Sequence, residues 1–219
     1  MVDVPAWSVV VPAKRLAVAK TRLRPLTDRA DRRAHEALVL ALLADTVAAA
    51  LAAPPVAEVV VVTDEPAAAE LVRRLGARTV GDEPDGGLNA ALEHGARAAA
   101  GDAVAALSSD LPALRPAELT AALGAAAATP RCFVADVHAT GTTLLTAVGT
   151  SLRPRFGAAS AQAHRGDGAL ALTGDWPGLV RDVDALDDLR AAVGLGVGPA
   201  TADLLATSPT LAVQLGAAR

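Results

Sequence analysis

Three short runs constrain this chain more than anything else in it. Trp7-Ser8-Val9-Val10-Val11, Val59-Val60-Val61-Val62 and the stretch 103–107 are almost continuously apolar; Pro12 and a basic segment follow the first, and polar residues follow the other two at once. A strand that reads apolar on both faces must be covered on both, which marks a parallel sheet buried between helices. The segments between these runs have helical spacing. Residues 35–53 carry Leu38, Leu42, Leu43, Val47 and Leu51 at helical intervals and stop at Pro54-Pro55. Residues 67–75 end at Gly76 and residues 88–100 at Gly101, while 116–128 opens with proline in its first turn. A short strand around Arg78-Thr79-Val80 precedes a polar loop over 81–87. The alternation predicts an α/β fold, an open and mostly parallel sheet with helices on both faces.

The second half changes character. Phe133-Val134-Ala135-Asp136-Val137 and Thr143-Leu144-Leu145-Thr146-Ala147-Val148 flank a glycine-bearing turn, which predicts antiparallel strands. Beyond them the reading is a glycine- and arginine-rich loop over 153–168, a strand at Leu179-Val180, and a helix over 185–193. A last helix over 200–205 then leads into the tail. Residues 1–206 make one domain, and 207–219 a flexible C-terminal tail.

Composition removes several classes of function. With 52% hydrophobic and 20% charged residues the chain is not disordered. A net charge of −4 argues against nucleic acid and anionic membrane as partners, yet leaves room for a local basic pocket. Cys132 is the one cysteine, so neither an internal disulfide nor a cysteine-rich zinc site can form. His35, His94, His138 and His164 have no ligand spacing. Trp7, Phe133, Phe156 and Trp176 are too few to stack single-stranded nucleic acid. The first residues carry no basic export-type segment, and Asp45 and Thr46 interrupt the most apolar stretch, which reads as a buried helix. A cytoplasmic protein is expected.

In open parallel sheets ligands bind beyond the carboxyl ends of the strands, so the residues that follow each strand outline a site. After the first comes Pro12-Ala13-Lys14-Arg15-Leu16-Ala17-Val18-Ala19-Lys20-Thr21-Arg22-Leu23. Its four cations suit a polyphosphate, although the segment is neither a Walker loop nor a dinucleotide fingerprint. Lys14 and Lys20 are the only two lysines beside eighteen arginines. That suggests positions needing a compact point charge, with chance retention as the alternative. After the 103–107 strand stands Asp110, placed either to hold a divalent ion or to make an Asx turn before Leu111-Pro112. Asp182-Val183-Asp184 follows the Leu179-Val180 strand, and Asp184 is either an N-cap or a second metal carboxylate. The turn Thr140-Gly141-Thr142-Thr143 offers N–H groups and hydroxyls to a small anion, and Arg155-Phe156-Gly157-Ala158-Ala159-Ser160 adds a guanidinium and another hydroxyl. Gly86-Gly87-Leu88-Asn89 either presents an amide to a nucleobase or simply starts a helix.

Taken together these motifs resemble a known family. Val11-Pro12-Ala13-Lys14-Arg15-Leu16 with Ala19-Lys20-Thr21-Arg22-Leu23, then Gly87-Leu88-Asn89-Ala90-Ala91-Leu92, Asp110-Leu111-Pro112-Ala113-Leu114, Gly141-Thr142, Arg155-Phe156-Gly157 and Asp182-Val183-Asp184 stand in the family's order over about residues 7–206. They are similar to the phospholactate/phosphoenolpyruvate guanylyltransferases of coenzyme F-420 biosynthesis, in particular the actinobacterial branch. The resemblance implies a single-domain, Rossmann-like nucleotidyltransferase fold. It implies Mg2+ on Asp110 and Asp184, and phosphoenolpyruvate contacts at Thr142, Gly157 and Ser160. Asp110, Asp184 and Lys20 are the expected catalytic residues; Lys14, Arg15, Lys20, Arg22 and Asn89 are the expected nucleotide contacts. The implied reaction moves GMP from GTP to phosphoenolpyruvate, giving enolpyruvoyl-2-diphospho-5'-guanosine and pyrophosphate. Open alternatives are 2-phospho-L-lactate or 3-phosphoglycerate as acceptor, or a catalytically silent nucleotide-binding regulator. The sequence leaves monomer and homodimer open, as well as a hand-over to the next transferase of the pathway.

Overall fold

The computed structural model describes residues 5–13, 23, 32–83 and 86–215. The chain alternates from its start: β1 (Trp7–Pro12), α1 (Arg32–Leu51), β2 (Val56–Val62), α2 (Pro66–Leu75), β3 (Arg78–Val80), α3 (Leu88–Ala98), β4 (Ala103–Leu107) and α4 (Pro116–Ala126). Then follow β5 (Arg131–Ala135), β6 (Thr142–Val148), α5 (Ser160–Gly166), β7 (Leu170–Ala171), α6 (Leu186–Leu195), α7 (Pro199–Thr207) and α8 (Pro209–Gln214). One seven-stranded sheet runs in the order β3-β2-β1-β4-β6-β5-β7. β1 pairs in parallel with both β2 and β4, whereas β6 is antiparallel to β4 and to β5. The expected mostly parallel sheet with antiparallel strands in its second half is what the chain forms.

The period of two along β1 explains why its run had to be apolar throughout. Val9 and Val11 face one side with Val59, Val61, Ala105 and Leu107, under α1, α2 and α4. Val10 faces the other with Val62, Val104 and Ala106, under α3 and α5. Both faces are buried, so no position on the strand can be polar without a partner. Ser8 has one, donating to Glu58 Oε1 at 2.8 Å.

A third cluster lies outside the sheet. Leu38 and Leu42 of α1 pack with Val183, Leu189 and Ala192, and with Leu211 of α8, which is 1% exposed. Within the stretch expected to be a flexible tail, Pro209–Gln214 forms a helix whose Leu211 sits in this cluster. α1 is apolar and long enough to cross a membrane by length and composition, but it packs on the sheet, and its polar residues are used. Asp45 accepts the N–H groups of Ala200 and Thr201, each at 2.9 Å, and so fixes the start of α7.

Two further expectations change. Leu179-Val180 is a turn, not a strand: both N–H groups return to the Trp176 carbonyl, at 3.1 and 3.2 Å. Gly178 is pressed so closely on Ala113 that a Cβ would lie 2.2 Å from its carbonyl oxygen, which leaves no room for a side chain on an extended run. The strand beside β5 is instead the short β7. Within the stretch read as a loop over 153–168, residues Ser160–Gly166 are helical.

Candidate active site

The strand order reverses at β1, with β2 on one side and β4 on the other, and crevices open at such a switch. Here the cavity has a volume of about 680 Å3 and begins at Pro12 and Ala13 after β1 and at Ser108 and Ser109 after β4. That is ample for a nucleotide and a small acid.

Asp110 enters the cavity from a rigid support. Thr46 of α1 donates to the Leu42 carbonyl at 2.9 Å and accepts the Leu111 N–H at 2.8 Å, so a helix side chain pins the residue after the aspartate. Asp110 is 5% exposed. Its carbonyl accepts the Val183 N–H at 3.1 Å, which brings the 182–184 segment alongside it. Val183 is buried in the third cluster, and its neighbours Asp182 and Asp184 line the same cavity. Asp184 is not the N-cap of α6, which is Ala185. The cap carboxylate is Asp188, which accepts the N–H groups of Ala185 at 2.9 Å and Asp184 at 3.2 Å. Among the described residues no three acidic, histidine or cysteine side chains form a ready-made metal cage. Asp110, Asp182 and Asp184 nonetheless line one cavity, and carboxylates are the hard oxygen donors that a divalent ion takes beside phosphate and water.

The opposite wall comes from the β5–β6 turn and the loop before α5. Asp136 accepts the N–H groups of Thr140 and Gly141, each at 2.9 Å. A Cβ on Gly141 would sit 2.5 Å from Asp136 Oδ2, so a side chain here would force that carboxylate to shift. The expected backbone cradle at this turn is therefore smaller than the sequence suggests, because Asp136 already holds two of its N–H groups. Thr142 follows, buried and on the cavity wall. Gly157, at φ +128°, takes a backbone path that side chains disfavour, and Ser160 lies buried at the start of α5. The Ala161 N–H donates to the Thr140 carbonyl at 3.1 Å and ties the two pieces together.

Asn89 has a different occupation from the one expected. Its Oδ1 accepts the Phe156 N–H at 2.8 Å and its Nδ2 donates to the Phe156 carbonyl at 3.0 Å. The side chain braces the loop and does not itself line the cavity. Lys14, Arg15, Lys20 and Arg22 lie outside the described residues. The structure thus brings Asp110, Thr142, Gly157, Ser160 and Asp184 to one cavity from separate parts of the chain.

Comparison with known proteins agrees with the resemblance in the motifs. The model of the MobA-like NTP transferase domain matches residues 21–172. A phosphoenolpyruvate guanylyltransferase of Geodermatophilus obscurus is 70% identical over 96% of this chain and 100% of its own length. The chain belongs to the phosphoenolpyruvate guanylyltransferase family. A second member, from Salinispora arenicola, is 56% identical over 92% of this chain and 94% of its own. Among solved structures, a nucleotidyl transferase from Methanothermobacter superposes with a TM-score of 0.63 at 23% identity, covering 87% of this chain and 97% of its own. A Desulfovibrio desulfuricans protein assigned as a nucleotide-diphospho-sugar transferase reaches 0.67 at 16% identity, covering 95% and 94%. At these identities the likeness is one of fold.

Against that family background, Asp136, Thr46 and His164 stand out as supports the motifs did not reveal, and Asn89, named in a motif, has a bracing role the motif did not reveal. Asp136 had a faint local signal, an aspartate at a strand end four residues before Thr140. The others bond across 65, 22 and 67 positions, and no local pattern records such pairs.

Proposed function

We propose that this chain transfers GMP from GTP to phosphoenolpyruvate, releasing pyrophosphate, a reading supported by the name phosphoenolpyruvate guanylyltransferase that its relatives carry. The observation that carries the reading is the gathering of Asp110, Asp184, Thr142, Gly157 and Ser160 around one cavity at the switch point of the sheet. The acceptor's phosphate monoester has its second pKa near 6 and is already a dianionic nucleophile at neutral pH. Its oxygen forms a bond to the α-phosphorus of GTP, and the bond to the β-phosphate oxygen breaks. No side chain has to take a proton, which agrees with a cavity wall that has no histidine among the described residues.

The obstacle is the approach of two polyanions. Asp110 and Asp184 would hold a divalent ion, Mg2+ in our reading, with Asp182 beside them. Bound there, it offsets the negative charge of triphosphate and acceptor. Lys14, Arg15, Lys20 and Arg22, which follow β1 in the sequence, would neutralise the triphosphate and the leaving pyrophosphate. Thr142, the Gly157 backbone and Ser160 would orient the three-carbon acid. We place the reaction in the cytoplasm and in coenzyme F-420 biosynthesis, on the resemblance of the motifs. The diphosphate ester it makes is activated for hand-over to a following transferase.

A pyrophosphate-release screen decides the substrates. GTP, CTP, ATP and UTP are crossed with phosphoenolpyruvate and 2-phospho-L-lactate in the presence of Mg2+. Release is expected with GTP and phosphoenolpyruvate above all other pairs. A preference for another nucleotide, or release that ignores the acceptor, contradicts the reading.

A further inference from the structure

His164 touches neither the candidate metal carboxylates nor the cavity, yet it is joined to both parts of the acceptor wall. It projects from α5, is 1% exposed, and sits between the rings of Phe133 and Phe156, with centroids 5.9 and 5.2 Å away. The Arg155 N–H donates to its Nε2 at 2.9 Å, and its Nδ1 lies 2.9 Å from Thr142 Oγ1.

These two contacts fix the tautomer. A backbone N–H can only donate, so Nε2 must present its lone pair, and the proton of the neutral ring is then on Nδ1. Nδ1–H donates to Thr142 Oγ1, which makes that hydroxyl an acceptor toward the ring. A threonine hydroxyl has one hydrogen, and with its oxygen accepting from His164 that hydrogen is directed away from the ring. Thr142 also lines the cavity. The opposite tautomer, or an imidazolium, would set two N–H groups against each other at Arg155.

We propose that His164 is a positioning residue that locks the Thr142 hydroxyl as a hydrogen-bond donor to an anionic oxygen of the phosphorylated acid, and at the same time holds the Arg155–Gly157 loop in place. The inference rests on the acceptor reading given above. Burial supports it by keeping the ring neutral: desolvation pushes the imidazolium down to about 4, Arg131 and Arg155 push the same way, and Asp167 opposes them.

Nitrogen-15 NMR of histidine-labelled, unliganded protein at neutral pH reads the tautomer without any turnover. A pyrrole-type Nδ1 and a pyridine-type Nε2 are expected; a protonated Nε2 overturns the proposal. Three variants read the consequence. Thr142→Val and His164→Gln each withdraw a donor from the chain of bonds, and a hydrogen bond to a charged group is worth about tenfold or more in binding. Both should raise the acceptor KM by roughly that factor, with the KM for GTP unchanged. His164→Asn keeps an N–H near the Nδ1 position but gives up the acceptor for the Arg155 N–H, and should recover part of the acceptor affinity that His164→Gln loses. Equal loss for both substrates, or no separation between the Gln and Asn variants, contradicts the positioning role. If the NMR result stands but Thr142→Val leaves the acceptor KM alone, the donor assignment fails. The acceptor reading itself fails separately, if wild-type protein shows no acceptor-dependent release.

Discussion

At His164 the competition between burial and charge has a thermodynamic consequence. The unfolded ring titrates near 6.5, whereas in the folded protein desolvation, aided by Arg131 and Arg155 and opposed by Asp167, pushes it to about 4. Between those values the unfolded chain binds the extra proton, so stability from this group is complete above pH 6.5 and is lost as pH falls toward 4. From pH 7.5 to pH 5 the loss is about 2 kcal/mol. Urea unfolding at the two pH values should show that the loss shrinks by about this amount in His164→Gln; equal pH slopes for the two proteins contradict a neutral, buried ring. The residues that were legible in the sequence differ from His164 in one respect. Asp110 and Asp184 could be picked out because each stands in a polar segment beyond an apolar run. His164, Asn89 and Thr46 take their roles from partners distant in the chain, and the roles are invisible until the fold brings those partners in.

Among the elements, α1 links fold and site most directly. Its apolar residues cover the sheet, Asp45 holds α7, and Thr46 holds the segment that carries Asp110. Thr46→Val keeps the shape of the side chain but leaves the buried Leu111 N–H without its acceptor, at a cost of about 1–3 kcal/mol. Denaturant unfolding should show that loss, together with a fall in turnover as the Asp110 segment loosens; a variant of unchanged stability and rate would mean that Thr46 only fills space. β1, β2 and β4 were readable from their runs because both their faces are buried. Leu179-Val180 was misread for a related reason: two apolar residues under a core look alike in a turn and in a strand. Gly178, which lets the turn press on Ala113, was the available clue. The C-terminal helix α8 seats Leu211 in the third cluster and has no long apolar face of its own to read in the sequence.

On the scale of the whole molecule, a chain with net charge −4 that takes two polyanions, as we propose, needs opposite charge supplied locally. The strand order turns at β1, and three aspartates from two segments come to one wall of the resulting cavity. The sequence places four cations directly after the same strand. Fold class and Asp110 were legible because parallel sheets put their sites at predictable strand ends, whereas Asp182 and Asp184 were picked out after an apolar pair that is a turn. The opposing wall was legible mainly through family resemblance, since a β-turn and a loop before a helix become a binding wall only when Asp136, Asn89 and His164 brace them. The most direct measurement is pyrophosphate release from GTP and phosphoenolpyruvate by wild-type, Asp110→Asn and Asp184→Asn proteins at saturating Mg2+, with thermal melting run in parallel. Each asparagine variant should lose turnover by about a hundredfold or more while melting cooperatively. Wild-type rates in either folded variant would remove that carboxylate from the reaction and the account with it.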